Sequence, residues 1–432
     1  MIRSFLLILA LLLISRGLFA ENGTVLVQYD ALAQMVRDRN GEVRRELLLV
    51  EAAQSRTGSL QRSRSPQVSA FAGGEGFHTG GVDGVLFQPL AGVDAILPLY
   101  RGDQDEAEEA IRQGQARLAG IQYEQTVAEQ LTILQSLYWD IVHVDEMVGN
   151  LQVVLAQNAQ GHASARRRFQ RGLLSQSDVM GFEMYESLLE DEIESLQHEK
   201  KRLMIVLKGA LGVSESVSLT VADTRVPYLP DDLATASLNA SQTFAYQTLK
   251  WKASVLKSRF DHLAAKGSPM VDAYGTYTLY TQADRSFSNW MDRTDTAVGV
   301  RATFLLYDGN RNRSDADATQ LTFKSSIAEM AYKDQLITAE LKASQEELIH
   351  LQDLLSRSEM RVAQASRFLQ ITVQEYDRGV KNATDVLTAM QVSEEIQRRN
   401  VDWKIQYQKT KSDLLARLTT VRQGGHGSRL AE

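Results

Sequence analysis

The chain has 432 residues, a formal net charge of −7 and 23% charged residues, so it offers no broad basic field for nucleic acid. Cysteine is absent, which excludes disulfides, thiolate metal sites and a cysteine nucleophile. With only 6 prolines and abundant Gln, Glu, Ala, Leu and Arg, the composition is that of long helices.

Met1-Ile2-Arg3, the apolar run Phe5 to Ile14 and then Leu18-Phe19-Ala20 have the charged, apolar and small-residue parts of a secretory signal, expected over residues 1–20. The run is too short to cross a bilayer, which takes roughly 20 apolar residues. Past it, no stretch is apolar enough for a spanning helix.

From there the chain reads as two copies of one unit. Pro66-Gln67-Val68-Ser69-Ala70-Phe71 is matched by Pro269-Met270-Val271-Asp272-Ala273-Tyr274. Leu99-Tyr100-Arg101-Gly102 recurs as Leu306-Tyr307-Asp308-Gly309. Phe169-Gln170-Arg171-Gly172 with Asp178-Val179 recurs as Tyr376-Asp377-Arg378-Gly379 with Asp385-Val386. The last two pairs share an offset of 207 residues, and repetition on this scale means one structural unit built twice. The first pair is offset by 203, so a net insertion of four residues falls between them.

The segment in which the offset changes reads as a β-hairpin in each half, about 67–99 and about 270–306. Val298, Val300, Ala302, Phe304 and Leu306 alternate with Gly299, Arg301, Thr303 and Leu305. Ala91, Val93, Ala95, Leu97 and Leu99 repeat the apolar face, with Asp94 at the position equivalent to Arg301 on the other. Strands apolar on one face and charged on the other fit either a barrel between lipid and water or an ordinary sheet with one wet face. Tyr274, Tyr277, Tyr280, Phe287 and Trp290 are candidates for interfacial aromatics. Four strands cannot close a barrel or leave bare edges in lipid, so in the barrel reading several chains pool their strands.

Helices follow each hairpin, expected over about 103–170 and 175–211 in the first half and about 310–376 and 383–421 in the second. Ile337, Leu341, Ser344, Leu348, Leu351, Leu355, Ser358, Val362, Ala365 and Leu369 step by four and three, a heptad seam. Leu131, Leu134, Tyr138, Ile141, Val144, Val148, Leu151 and Leu155 keep nearly the same rhythm. Each long helix would run about 100 Å. At the turns, Gly172 and Gly379 suit the left-handed C-terminal position, and Ser175 with Asp178 forms a capping box that Asn382 and Asp385 echo.

This order of elements, with the repeated Leu-Tyr-x-Gly, aromatic-x-Arg-Gly and Asp-Val pieces, resembles the TolC family of outer-membrane efflux proteins from about residue 24 to 421. The resemblance implies a mainly α fold with a membrane β-barrel part. It divides the chain into a first repeat over 21–220, a second over 221–422 and a disordered tail over 423–432. The long antiparallel helices would form a periplasmic α-barrel, and four strands per chain would join a trimeric 12-stranded barrel in the outer membrane. It further implies a homotrimer in outer-membrane lipid that meets a periplasmic adaptor (membrane fusion) protein. The adaptor links it to an inner-membrane pump or ABC exporter, in efflux or type I secretion. Adaptor docking is assigned to the tips Gly172, Leu173, Leu174, Ser175, Gly379 and Val380. A periplasmic gate is assigned to Asp178, Ser177, Tyr376, Lys381 and Asp385. Here Lys381 stands where the family has arginine and Thr388 where it has a second acid. Lysine lacks the bidentate fork of arginine. Asp178 and Asp385 also read simply as first-turn caps, without any gate.

No cofactor is expected. The 7 histidines show no metal-ligand pairing, and neither Trp139-Asp140 with His143 nor Gly73-Gly74-Glu75-Gly76 sits in a catalytic or phosphate-binding setting. The alternative to a channel is an exported periplasmic coiled-coil scaffold.

Overall fold

The computed structural model describes residues 25–77, 86–214, 216–228, 232–280 and 293–419. The expected signal peptide at 1–20, the expected tail at 423–432, and Phe287, Trp290, His78 and His426 lie outside the described residues. The elements in chain order are β1 (Val25–Val27), α1 (Leu32–Arg39), α2 (Gly41–Ser63), β2 (Gln67–Phe77), β3 (Leu86–Tyr100), α3 (Gln104–Gln170) and α4 (Gln176–Ala210). They continue with β4 (Leu219–Val221), α5 (Phe244–Ala265), β5 (Met270–Tyr280), β6 (Arg293–Thr303), α6 (Arg311–Asp377) and α7 (Ala383–Arg417). The repeat is kept to the residue in the helices. Both α3 and α6 have 67 residues, and both α4 and α7 have 35.

Two units share the chain, each drawing on both repeats. One comprises the described parts of Met1–Arg45, Glu124–Thr243 and Leu336–Glu432, the other Glu46–Tyr123 and Phe244–Gln335. In the first unit the heptad seams are buried: Leu134, Tyr138, Ile141 and Leu151 on α3, and Leu341, Leu348, Leu351 and Leu355 on α6. Each such side chain contributes about 1.5 to 3 kcal/mol of burial, which holds together helices that propensity alone would not. Strands β1 and β4 pair in parallel, with Val25 opposite Leu219. Beside them Tyr138 donates to Asp223 Oδ2 at 2.5 Å and the Tyr29 ring lies 4.7 Å from Trp139. The suspected Trp139, Asp140 and His143 grouping is dispersed into packing and ion pairs. Asp140 takes Lys409 at 2.6 Å and His143 Nε2 lies 2.8 Å from Asp402.

The second unit holds an antiparallel sheet in the order β2-β3-β5-β6. Its register sorts the side chains. Val68 faces Ala95, Gly275 faces both Ala95 and Val298, and Ala273 faces Leu97 and Val300, so one face is apolar across all four strands. On the opposite face Asp94 lies across from Ser69 and Thr276, and Asp272 from Arg301. Tyr274 belongs to this polar face, with the Arg301 guanidinium 5.2 Å from its ring centre. It is therefore not one of the interfacial aromatics, whereas Tyr277 is on the apolar face. Pairing of β6 stops at Thr303 opposite Met270, short of the alternation that continues to Leu306. The residue before Met270 is Pro269, which has no N–H to extend the ladder. At the entry to α3, Gly102 has φ +59° and a Cβ there would lie 2.1 Å from Ser268 Cβ, so the repeated Leu-Tyr-x-Gly requires its glycine in the first copy on both backbone and steric grounds.

Candidate functional site: the helical tip

The tip consists of two turns built alike. Helix α3 ends in a Schellman motif: Gly172 at φ +73° donates to Phe169 O at 2.8 Å and Leu173 N to Arg168 O at 2.9 Å. Helix α6 ends the same way, with Gly379 at φ +80°, Gly379 N to Tyr376 O at 2.8 Å and Val380 N to Glu375 O at 2.9 Å. Helix α4 then starts on a capping box. Asp178 N donates to Ser175 Oγ at 3.3 Å, and Ser175 N donates to Asp178 Oδ2 at 3.1 Å. At the start of α7, Asp385 N donates to Asn382 Oδ1 at 2.8 Å and Asn382 N to Asp385 Oδ2 at 3.0 Å.

The turns differ in what packs on them. Arg168 Nη1 donates at 2.7 Å to Tyr376 O, a carbonyl at the negative end of α6, and its guanidinium lies 4.8 Å from the Tyr376 ring centre. Its repeat mate is Glu375, which cannot make this clamp. Tyr376 is buried to 1% exposure against Phe182, ring centres 6.2 Å apart, while its mate Phe169 is 42% exposed. Among the described residues the Tyr376 hydroxyl has no hydrogen-bond partner. Burial pushes its pKa up, the Arg168 charge opposes this and Asp178 adds to it, so it stays neutral.

The residues expected to form a gate are thus placed as follows. Asp178 and Asp385 are committed to their caps, and Ser177 Oγ lies 2.7 Å from Ser175 Oγ. Tyr376 is in the core beneath the turn. Lys381 is exposed, and no hydrogen bond of its ammonium joins it to Asp178. Of the tip residues, Gly172, Leu173, Ser175, Gly379 and Val380 are exposed, while Leu174 packs on the buried cluster of Phe182, Tyr376 and Met390. Sequence reasoning passed over Arg168 as a clamp and Phe182 as its support. The mismatch of Arg168 with Glu375 at otherwise matching turns was the available signal.

Farther from the tip, α4 and α7 bring acids together. Burial raises the pKa of Glu394, Arg398 opposes, and Glu395 and Glu192 add to the rise. Nearby Tyr185 is pushed up to about 12 by burial and then by the Glu394 charge, and among the described residues its hydroxyl also has no hydrogen-bond partner. A carboxyl whose folded pKa is raised is harmless when protonated and costs stability as pH rises through the interval between its unfolded and folded values. Glu394→Gln is therefore expected to raise the melting temperature at pH 7.5 and to leave it nearly unchanged at pH 4. An equal shift at both pH values would assign the effect to packing instead.

Among the described residues no group of three His, Asp or Glu side chains is placed to hold a metal ion, and no helix is long and apolar enough to cross a membrane. Comparison with known proteins matches part of the second repeat to a family and the whole chain to a fold. Residues 247–419 match the model of the outer membrane efflux protein family. No curated protein matches the chain by sequence. Among solved structures, CusC superposes with a TM-score of 0.74 at 15% identity over 93% of this chain and 95% of its own. The outer membrane protein VceC of Vibrio cholerae gives 0.72 at 14% identity over 90% and 94%. The Campylobacter jejuni CmeC outer membrane channel gives 0.72 at 13% identity over 90% and 84%. The second repeat therefore carries the outer membrane efflux protein domain, and the chain as a whole has the fold of the outer-membrane channels.

Proposed function

We propose that three copies of this chain form a passive conduit through the outer membrane, fed from an inner-membrane pump or ABC exporter through a periplasmic adaptor. The observation that carries the reading is the four-stranded sheet β2-β3-β5-β6, whose outer strands have no partner on their far sides within the described chain. A sheet in lipid must close, and a spanning barrel needs at least about eight strands. Three such sheets supply twelve. The apolar face then meets lipid, and Asp94, Asp272 and Arg301 line water.

The tips form the periplasmic end. In this reading Gly172, Leu173, Leu174, Ser175, Gly379 and Val380 present the adaptor-docking surface, with the exposed Leu173 and Val380 as apolar knobs. Arg168 holds the two turns of one chain together, Asp178, Ser177, Lys381 and Asp385 surround the opening, and Tyr376 supports them from the core beneath. Because Asp178 and Asp385 are occupied as caps, the exposed Lys381 is a charge with which one copy can reach another. Cargo is selected by the pump and adaptor.

Planar-bilayer recording on the purified mature protein tests this. Stable single-channel conductance is expected, and Lys381→Ala should raise it. A protein that fractionates as a soluble periplasmic species and passes no current would overturn the conduit, and unchanged conductance in Lys381→Ala would remove Lys381 from the gate.

A further inference from the structure

The two hairpins repeat one contact on their polar face and differ in its charge. In the second, the ring of Tyr274 on β5 crosses to Gly299 on β6, where Cε1, Cζ and Oη would each lie 3.1 Å from an added Cβ. Two residues farther along β6 is Arg301, whose guanidinium lies 5.2 Å from the centre of that ring, with Asp272 as its cross-strand neighbour. In the first, Phe71 on β2 crosses to Gly92 on β3, where its Cζ would lie 2.5 Å from an added Cβ. Two residues farther along β3 is Asp94, with Ser69 as its cross-strand neighbour. The offsets of 203 and 207 carry Phe71, Ser69, Gly92 and Asp94 onto Tyr274, Asp272, Gly299 and Arg301.

A ring laid over a glycine pins the register of each hairpin, and that role needs no charge beside it. The second hairpin holds a ring, a cation near its face and an anion across from the cation. The first holds a ring and an anion, with Ser69 where the second has Asp272, and lacks the cation. Among the described residues Asp94 makes no hydrogen bond or ion pair, and no charged group contacts the Phe71 ring. Arg301 is turned onto Tyr274 of its own chain.

We propose that the ring of Phe71 and the carboxylate of Asp94 form a subsite for an organic cation, a substituted ammonium or guanidinium group, which takes the place that Arg301 holds in the second hairpin. The inference rests on the conduit reading, which turns this face toward water, and adds to it a resting place for cargo on each copy. A ring face attracts a cation through its quadrupole, quaternary ammonium groups among them, and the carboxylate supplies the opposite charge. A hard metal ion is disfavoured, because it takes about six or more oxygen ligands, and the wall offers one carboxylate with the hydroxyls of Ser69 and Thr276 across from it. Such a site holds cargo weakly enough to release it, as conduction requires.

Planar-bilayer recording on the purified mature protein, with benzyltrimethylammonium as the probe, tests this. The probe is expected to lower the current as its concentration rises, and Asp94→Asn and Phe71→Leu should each raise the half-blocking concentration about fivefold or more. Asp94→Arg, which rebuilds the arrangement of the second hairpin, should abolish the block and leave the amount of heat-resistant oligomer at the wild-type level. Block that persists in Asp94→Arg places the probe elsewhere and overturns the subsite. Block that weakens in Asp94→Asn but is unchanged in Phe71→Leu also overturns it, leaving only charge attraction along the wall. If Phe71→Leu does not assemble, Phe71→Trp, which keeps the ring and enlarges its face, should lower the half-blocking concentration, and an unchanged value removes the ring from the site. A protein that passes no current overturns the conduit and the subsite with it, whereas a conducting channel that the probe never blocks overturns the subsite alone.

Discussion

Val298→Arg is expected to prevent accumulation of assembled protein in the outer membrane, while Ala297→Arg, one residue away, leaves it close to wild type. The two positions lie on opposite faces of β6. Val298 is 85% exposed and faces Gly275, next to Val300 opposite Ala273. Ala297 faces Thr276, on the side that carries Asp272 and Arg301. An arginine on the lipid face near the bilayer midplane costs about 2 to 4 kcal/mol, and a trimer meets that cost three times, roughly 6 to 12 kcal/mol in all. Measured stabilities of folded proteins are of that size. On the inner face the same guanidinium is hydrated. The check is the amount of heat-resistant oligomer in outer-membrane fractions. Loss in Ala297→Arg with retention in Val298→Arg would invert the two faces, and equal retention would remove this sheet from the membrane.

The face assignment was legible because a strand's period is two and the apolar residues of each hairpin keep to it. The same parity separates Tyr274 from Tyr277, so placing both at the lipid interface ignored a signal the sequence contained. Strand ends were less legible. Alternation from Val298 to Leu306 describes side chains, whereas pairing depends on the partner strand, which begins after Pro269. The helices and tips were legible for a local reason. Gly172, Ser175 and Asp178, like Gly379, Asn382 and Asp385, satisfy backbone groups within a few residues of themselves, and such chemistry is written in short motifs. The burial of Tyr376 and exposure of Phe169 were signalled in the sequence only by the mismatch of Arg168 with Glu375. Their neighbourhoods in sequence nearly match, and the difference comes from Arg168 and Phe182, roughly two hundred residues away along the chain. Repetition predicts what two copies share. What one copy does to the other depends on where they touch.

Phe182→Ala is expected to cost the tip about 3 to 5 kcal/mol, the usual range for truncating a fully buried aromatic ring. Phe182 is completely buried, tilted 56° against Tyr376, and its backbone carbonyl accepts from Asn158 Nδ2 at 3.0 Å. Gly161 leaves the room for the ring, since a Cβ there would lie 2.8 Å from Phe182 Cε1. Two further variants make the loss attributable. Tyr376→Phe removes a buried hydroxyl that has no hydrogen-bond partner among the described residues, so it should leave stability unchanged or slightly raised. Gly161→Ala should be damaging in the wild-type background and nearly harmless once Phe182 is alanine, because the clash and the cavity occupy the same space. Thermal denaturation followed by circular dichroism gives the four corners of that cycle. Strong coupling places the ring of Phe182 in the space Gly161 leaves open, supporting the residue that Arg168 clamps. Additive losses would mean that the ring lies elsewhere, and the clamp on α6 would then have to be held by something other than this cluster.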